Sequence, residues 1–212
     1  MKKIKAFDVI NVLLMILLGA ITLIPVLTVV AKAFSDPAYV IAGRVGILPK
    51  GFQLDTIRYV LNKPEFLNAF KNSIFVTGVG TMRAMLMTVS AAYPLSKPEL
   101  RGRKIFLYIF VFVMLFGAGM VPSYLLYNSL HLLNTRWALI FASGFSVFNL
   151  LVVKNYFEQL PESIEEAARI DGASNMQILF RVVLPMSAPV LATVSLFYAV
   201  GYWNNYFSGV MY

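Results

Sequence analysis

The stretch Pro161–Pro185, PESIEEAARIDGASNMQILFRVVLP, decides how this chain is read. Pro161 sits where a helix begins, because its missing N–H is harmless in the first turn. Glu162, Glu165 and Glu166 place negative charge near that N-terminus, where the helix dipole favours it. Gly172 follows the last helical residue and suits a left-handed cap. Ser174-x-x-Gln177 then opens a second helix with a capping-box pattern. The pattern predicts a short helix over Pro161–Asp171, a sharp turn at Gly172, and a second helix running toward an apolar stretch that starts around Pro185. On the first helix Ile164, Ala167, Ala168 and Asp171 share one face by the i, i+3, i+4, i+7 rule. Alanine in the middle of a face leaves room for a close partner, or for close packing on the helix's own bundle.

On both sides of this element the chain is strongly apolar. Hydrophobic residues make up 59% of the 212 residues and charged residues 13%, and the mean hydropathy is +0.73. Such a chain cannot cover its surface with polar groups, so it belongs in a bilayer; a soluble enzyme, a disordered regulator and a fibrous protein are excluded. With no cysteine and one histidine, His131, neither a thiolate site nor a histidine-rich metal centre is expected, and no catalytic cluster stands out. The net charge of +8 is read as Lys and Arg held in cytoplasmic loops, not as a nucleic-acid surface.

A membrane-crossing helix needs about 20 mostly apolar residues. Val9–Ala31 is uncharged and too long for the 7–15-residue core of a signal peptide. It is read as a retained first span over residues 9–33, kinked at Pro25, after a cytoplasmic N-terminus at residues 1–8. Residues 34–69 are too polar to cross and form an extracytoplasmic segment, with Leu54–Phe70 patterned for short interfacial helices. The core, residues 70–212, then carries four more apolar stretches. These are Phe70–Tyr93, interrupted by Arg83; Ile105–Leu130, loosened by Gly117, Gly119 and Pro122; Trp137–Val153; and a span from about Met186 to Tyr206.

Orientation follows from Lys and Arg. With the N-terminus inside, the inner segments hold 10 of the 18 and the outer ones 7, and Arg83 lies within a span. The short loop Ser96–Lys104, SKPELRGRK, weighs most. Residues 154–185, the long organised loop, are therefore cytoplasmic.

The run EEAARIDGASNMQILFRVVLP resembles the EAA loop of permeases in binding-protein-dependent ABC importers. Glu166-Ala167-Ala168, Gly172 and Leu184-Pro185 keep the family's spacing, with Val182 where its pattern has isoleucine. The wording EAARIDGAS is most similar to the carbohydrate branch, the maltose-type permeases. The resemblance implies an all-α, polytopic helix bundle in the bacterial cytoplasmic membrane, with a cytoplasmic coupling helix between spans four and five. It also implies six spans where five are visible, so the polypeptide is expected to continue past Tyr212. Such a permease does no chemistry of its own and holds no cofactor. ATP and Mg sit on a cytoplasmic ATPase dimer, a second permease completes the pathway, and an extracytoplasmic binding protein delivers the solute. By this likeness Glu166 makes a polar contact with the ATPase, Ala167 and Ala168 allow close docking, and Gly172 aims the helix. No GxxxxGK[ST] phosphate loop occurs in the chain.

Pathway candidates are fewer. In GYWNNYF, Gly201–Phe207, Trp203 with Tyr202 and Tyr206 can stack on sugar rings and Asn204 and Asn205 can bond hydroxyls, or the group is an interfacial aromatic belt. Arg83 costs about 2.5–3.5 kcal/mol at mid-span and needs a polar neighbour. That neighbour is an anionic substrate group, a carboxylate on the partner permease, or the interface reached by snorkelling. Two competing readings are a secondary carrier and an importer permease for a non-sugar solute. No Asp or Glu falls inside a span, which counts against ion coupling.

Overall fold

The computed structural model describes residues 6–212. Lys2, Lys3 and Lys5 of the basic N-terminus lie outside the described residues. The described chain is helical, with no strand among the described residues. It forms two compact units, Met1–Ala69 and Phe70–Tyr212.

In the first unit α1 (Ala6–Ala33) runs without interruption through Pro25, and its apolar side chains are largely exposed. α2 (Pro37–Ile41) is capped by the Asp36 carboxylate, which accepts from the Ala38 N–H. α3 (Asp55–Leu61) follows after a loop folded back on the end of α1. Ser35 Oγ donates to Ala31 C=O at 2.6 Å and accepts from Lys50 N–H at 3.0 Å, and the Phe34 and Phe52 rings stack.

α4 (Pro64–Ser96) begins six residues before the apolar run does, so Glu65 lies within the helix. The second unit continues with α5 (Arg103–Leu115), α6 (Met120–Ser129), α7 (Arg136–Ala142), α8 (Val147–Glu158) and α9 (Glu162–Ile170). Then come α10 (Asn175–Ile178), a π-helical turn (Leu179–Val183), α11 (Leu184–Met186), α12 (Ala188–Trp203) and α13 (Tyr206–Met211).

Two helices, Val9–Ala33 and Pro64–Ser96, are each long and apolar enough to cross a membrane. The remaining apolar stretches are broken, which the hydropathy pattern alone did not show. α5 and α6 bend by 109° at residues 116–119, where Gly119 takes φ +83°. α7 and α8 bend by 56° across Ser143–Ser146, so Trp137–Val153 is not one continuous helix. Asn175–Met186 and Ala188–Trp203 bend by 83°, with the helix running past Pro185 and breaking at buried Ser187. The last helix of that pair ends at Trp203, short of Tyr206. Counting each bent pair as one span gives five.

The core of the second unit is built where α4, α8 and α12 meet. Ala84, Thr88 and Ala92 of α4, Leu150 and Val153 of α8, and Val194 and Tyr198 of α12 are all closed off from solvent. Small residues on α4 bring the helices close. Gly80 is the extreme case, since a Cβ there would lie 2.6–2.8 Å from the Tyr202 ring. That ring cannot withdraw, because its hydroxyl donates to Ile140 C=O at 2.8 Å. Gly80→Ala is therefore expected to cost about 1–3 kcal/mol. The check is the thermal midpoint of the protein in nanodiscs, and an unchanged midpoint contradicts the packing argument.

Candidate functional site

The loop between α8 and α12 folds as an elbow. Pro161 is the N-cap residue of α9, in extended conformation, and Glu162 and Glu165 occupy the first turn. Gly172 adopts φ +81°, and its N–H donates to Arg169 C=O at 3.0 Å while the Ala173 N–H donates to Ala168 C=O at 3.0 Å. Ser174 and Gln177 form the reciprocal capping box that starts the next helix. Ile178, Leu179 and Val183 are buried and anchor this second arm in the core. Leu184 is half-buried and Pro185 exposed, both inside the continuing helix.

The face of α9 that meets the bundle differs from the sequence expectation. Glu165 is 7% exposed and Ala168, one turn on, packs against the core. Ala168 is thus turned toward its own bundle, because 100° per residue places it over Glu165 and away from the outer face. Ile164, Glu166 and Ala167 are exposed, and Ile170 is 86% exposed. The outward face therefore carries Glu166, Ala167 and Ile170.

Ion pairs fasten the elbow. Lys97, just after α4, pairs with Glu165 across 68 residues of sequence, and its ammonium lies 5.1 Å from the centre of the Tyr93 ring. Arg103 pairs with Glu158, which also accepts from Lys154 at 2.8 Å. Arg103 Nε donates to Leu95 C=O at 2.8 Å, tying the end of α4 to the start of α5. A cleft of about 1330 Å³ opens between α4 and α12 and reaches the elbow, with Thr77, Met85, Tyr93, Lys97, Arg169 and Leu179 among its walls.

The second cluster surrounds the α7–α8 break. A helix that stops inside a membrane frees carbonyl and N–H groups that must find partners within the protein. Here the Ile140 carbonyl accepts from Arg83 Nη1 at 3.2 Å and from the Tyr202 hydroxyl at 2.8 Å. The Arg83 guanidinium also sits 4.3 Å from the centre of the Phe141 ring. Positive charge at a helix C-terminus suits the dipole. On the other side of the break, Tyr198 Oη accepts from the Ser146 N–H at 3.2 Å and bonds Thr88 Oγ1 at 2.7 Å. Asn205 Nδ2 donates to Ser143 Oγ at 2.6 Å, and Asn205 Oδ1 caps α13 through the Ser208 N–H. Gly144 leaves the space that the Arg83 side chain fills.

Arg83 thus has a partner in its own chain, a backbone carbonyl, which none of the three sequence alternatives named. Arg83 and Asn205 converge on the same break. Trp203 is turned elsewhere, half-exposed and edge-on to Phe70 at 6.0 Å. Asn204 is exposed and closes α12, its N–H donating to Val200 C=O. Trp203 and Asn205 also border a small notch of about 100 Å³ with Asn72 and Ser73. Sequence reasoning missed Tyr198, Gly80 and the Lys97–Glu165 pair, and it read Tyr202 as a sugar-stacking ring where the structure buries it with its hydroxyl on Ile140 C=O. A signal for the break was present in Ala142-Ser143-Gly144-Phe145-Ser146, a cluster of small and hydroxyl residues inside an apolar run.

Residues 84–211 match the family described as binding-protein-dependent transport system inner membrane component. The chain is 45% identical to protein LplC of Bacillus subtilis over 98% of its own length and 70% of that protein's. It is 38% identical to the polygalacturonan/rhamnogalacturonan transport system permease YtcP of the same species, covering 98% of this chain and 73% of that one. The crystal structure of a bacterial ABC transporter involved in import of the acidic polysaccharide alginate contains a chain with a TM-score of 0.92 and 36% identity, covering 98% of this chain and 75% of that chain. The elbow and the broken, internally satisfied helices thus belong to a member of the binding-protein-dependent transport family, an inner-membrane permease subunit of an ABC importer.

Proposed function

We propose that this permease passes a sugar or oligosaccharide, with uronate-containing oligosaccharides as the substrate class, and that α9 is its coupling helix. It works beside a second permease subunit, over a cytoplasmic ATPase dimer that holds ATP and Mg, beneath an extracytoplasmic binding protein. The acidic polysaccharides named for YtcP and for the alginate importer support the substrate class. One observation carries the coupling role: α9 presents Glu166, Ala167 and Ile170 outward while Glu165 and Ala168 hold it from behind. Glu166 supplies the polar contact to the ATPase and Ala167 the close approach. Gly172 sets the angle, and Leu184 and Pro185 carry the motion toward α12. Ala168 contributes from inside, letting α9 lie close on the bundle. Trp203, Asn204 and Asn205 contact the sugar near the end of α12, and Arg83 acts there by holding the α7–α8 break in shape.

Glu166→Ala tests the coupling reading. Uptake of an oligogalacturonate is expected to fall about tenfold, the size of a typical coupling free energy, with normal amounts in the membrane. ATP hydrolysis stimulated by the loaded binding protein should fall with it. Wild-type uptake in this variant overturns the reading.

A further inference from the structure

The Lys97–Glu165 pair has a role that docking at α9 does not require. Glu165 faces away from the outward surface and is nearly closed off, with its side chain 9% exposed against 24% for Lys97. Both ends are fixed to rigid elements. Lys97 follows α4 directly, with its N–H on Pro94 C=O at 3.1 Å and its ammonium against the Tyr93 ring. Glu165 sits in the first turn of α9. The chain itself links α9 backward to α8 through residues 159–161 and forward, through the Gly172 elbow and the buried π-helical turn, to α12. The chain gives α9 no such direct link to α4. Among the described residues, Lys97–Glu165 is the one ion pair α9 makes.

From this geometry we infer that Lys97 and Glu165 form a strut that passes movement of the coupling helix into α4, so that α4 and α12 move together. The inference rests on α9 being the coupling helix. Coupling between distant sites needs an element whose position both sites bias; α12 already meets α4 through Thr88–Tyr198, and the Lys97–Glu165 pair adds a direct tie from α9 to the end of α4. α4 carries Thr88 and Arg83, which reach Tyr198 and the α7–α8 break. Movement delivered through Lys97 therefore arrives where the helices are discontinuous. Lys97 and Glu165 are positioning residues in this scheme, since neither needs to touch the ATPase or the solute.

The test uses the assembled complex of both permeases and the ATPase pair in nanodiscs, with its binding protein saturated by oligogalacturonate. The readout is the ratio of stimulated to basal ATP hydrolysis at equal amounts of complex. A pair that only helps folding changes the yield of complex and leaves this ratio alone. Lys97→Met and Glu165→Gln are each expected to lower the ratio about tenfold, and the exchange Lys97→Glu with Glu165→Lys to restore most of it. A wild-type ratio in both single variants overturns the strut, and so does an exchanged pair as poor as the singles. Should a single variant fail to assemble, the exchanged pair is decisive alone: recovery supports the strut and loss refutes it. Glu166→Ala measured in parallel separates the two readings. A wild-type ratio there overturns docking through α9. A collapsed ratio there, beside wild-type ratios in the pair variants, overturns the strut only.

Discussion

Replacing Gly172 by proline is expected to bring transport to background while the protein still inserts. Gly172 takes φ +81°, whereas proline is locked near −65°. Its N–H also donates to Arg169 C=O, and proline has no N–H to give. Both losses fall on the turn that joins α9 to the arm entering α12. The native elbow is then disfavoured by at least about 3 kcal/mol, enough to leave the coupling helix misaimed in nearly every molecule. Gly172→Ala isolates the cause. Nothing lies within 4 Å of a Cβ at this position, so alanine meets no clash and suffers only the left-handed backbone. It should cost about 1 kcal/mol and reduce transport several-fold, between wild type and proline. Uptake and binding-protein-stimulated hydrolysis check both variants. Full transport in Gly172→Pro refutes the elbow, and equal loss in both variants refutes the ordering by backbone strain.

Local rules reached further into this fold than hydropathy did. The elbow was legible because its signals are chemical and short-range. Pro161 at the start, Gly172 at the turn and the Ser174–Gln177 box each act within four residues, and the structure carries all three. The α5–α6 break was signalled by Gly117 and Gly119, but the α7–α8 break was not read, because an apolar run reports length and says nothing of continuity. Trp137–Val153 reads as one span by composition, yet its helix stops at Ala142 because side chains from other helices satisfy the freed backbone. Those partners, Arg83, Tyr198, Tyr202 and Asn205, are 52 to 62 residues away from the groups they bond. No periodicity within a window reports such pairs. Glu165 shows the same limit on a smaller scale. Helix-dipole reasoning placed it in the first turn, and only the tertiary partner Lys97 explains why it points inward while Glu166 points out. Ala168 follows from Glu165, since a residue three on shares its face.

The largest loss of stability is expected when the Ile140 carbonyl loses both of its side-chain donors. Arg83 Nη1 and the Tyr202 hydroxyl reach that oxygen from two different helices, and the Gly144 N–H turns instead to Phe141 C=O. Arg83→Leu removes a charged donor and the cation on the Phe141 ring, about 2 kcal/mol. Tyr202→Phe removes a neutral donor and keeps the ring that packs on Gly80, about 1 kcal/mol. Each single variant leaves the carbonyl one partner. The double variant leaves it none inside the bilayer, so its cost should exceed the sum of the singles and come to about 4 kcal/mol. The measurement is a double-mutant cycle on thermal unfolding in nanodiscs. Uptake assays separate this structural role from attraction of an anionic solute. A structural role lowers transport of acidic and neutral oligosaccharides alike, in step with stability, and Arg83→Lys restores little because a lysine ammonium lacks the extended guanidinium that bonds the carbonyl while sitting over the ring. Loss confined to acidic substrates, with stability unchanged in Arg83→Leu, would falsify the assignment of Arg83 to the helix break and return it to the solute pathway.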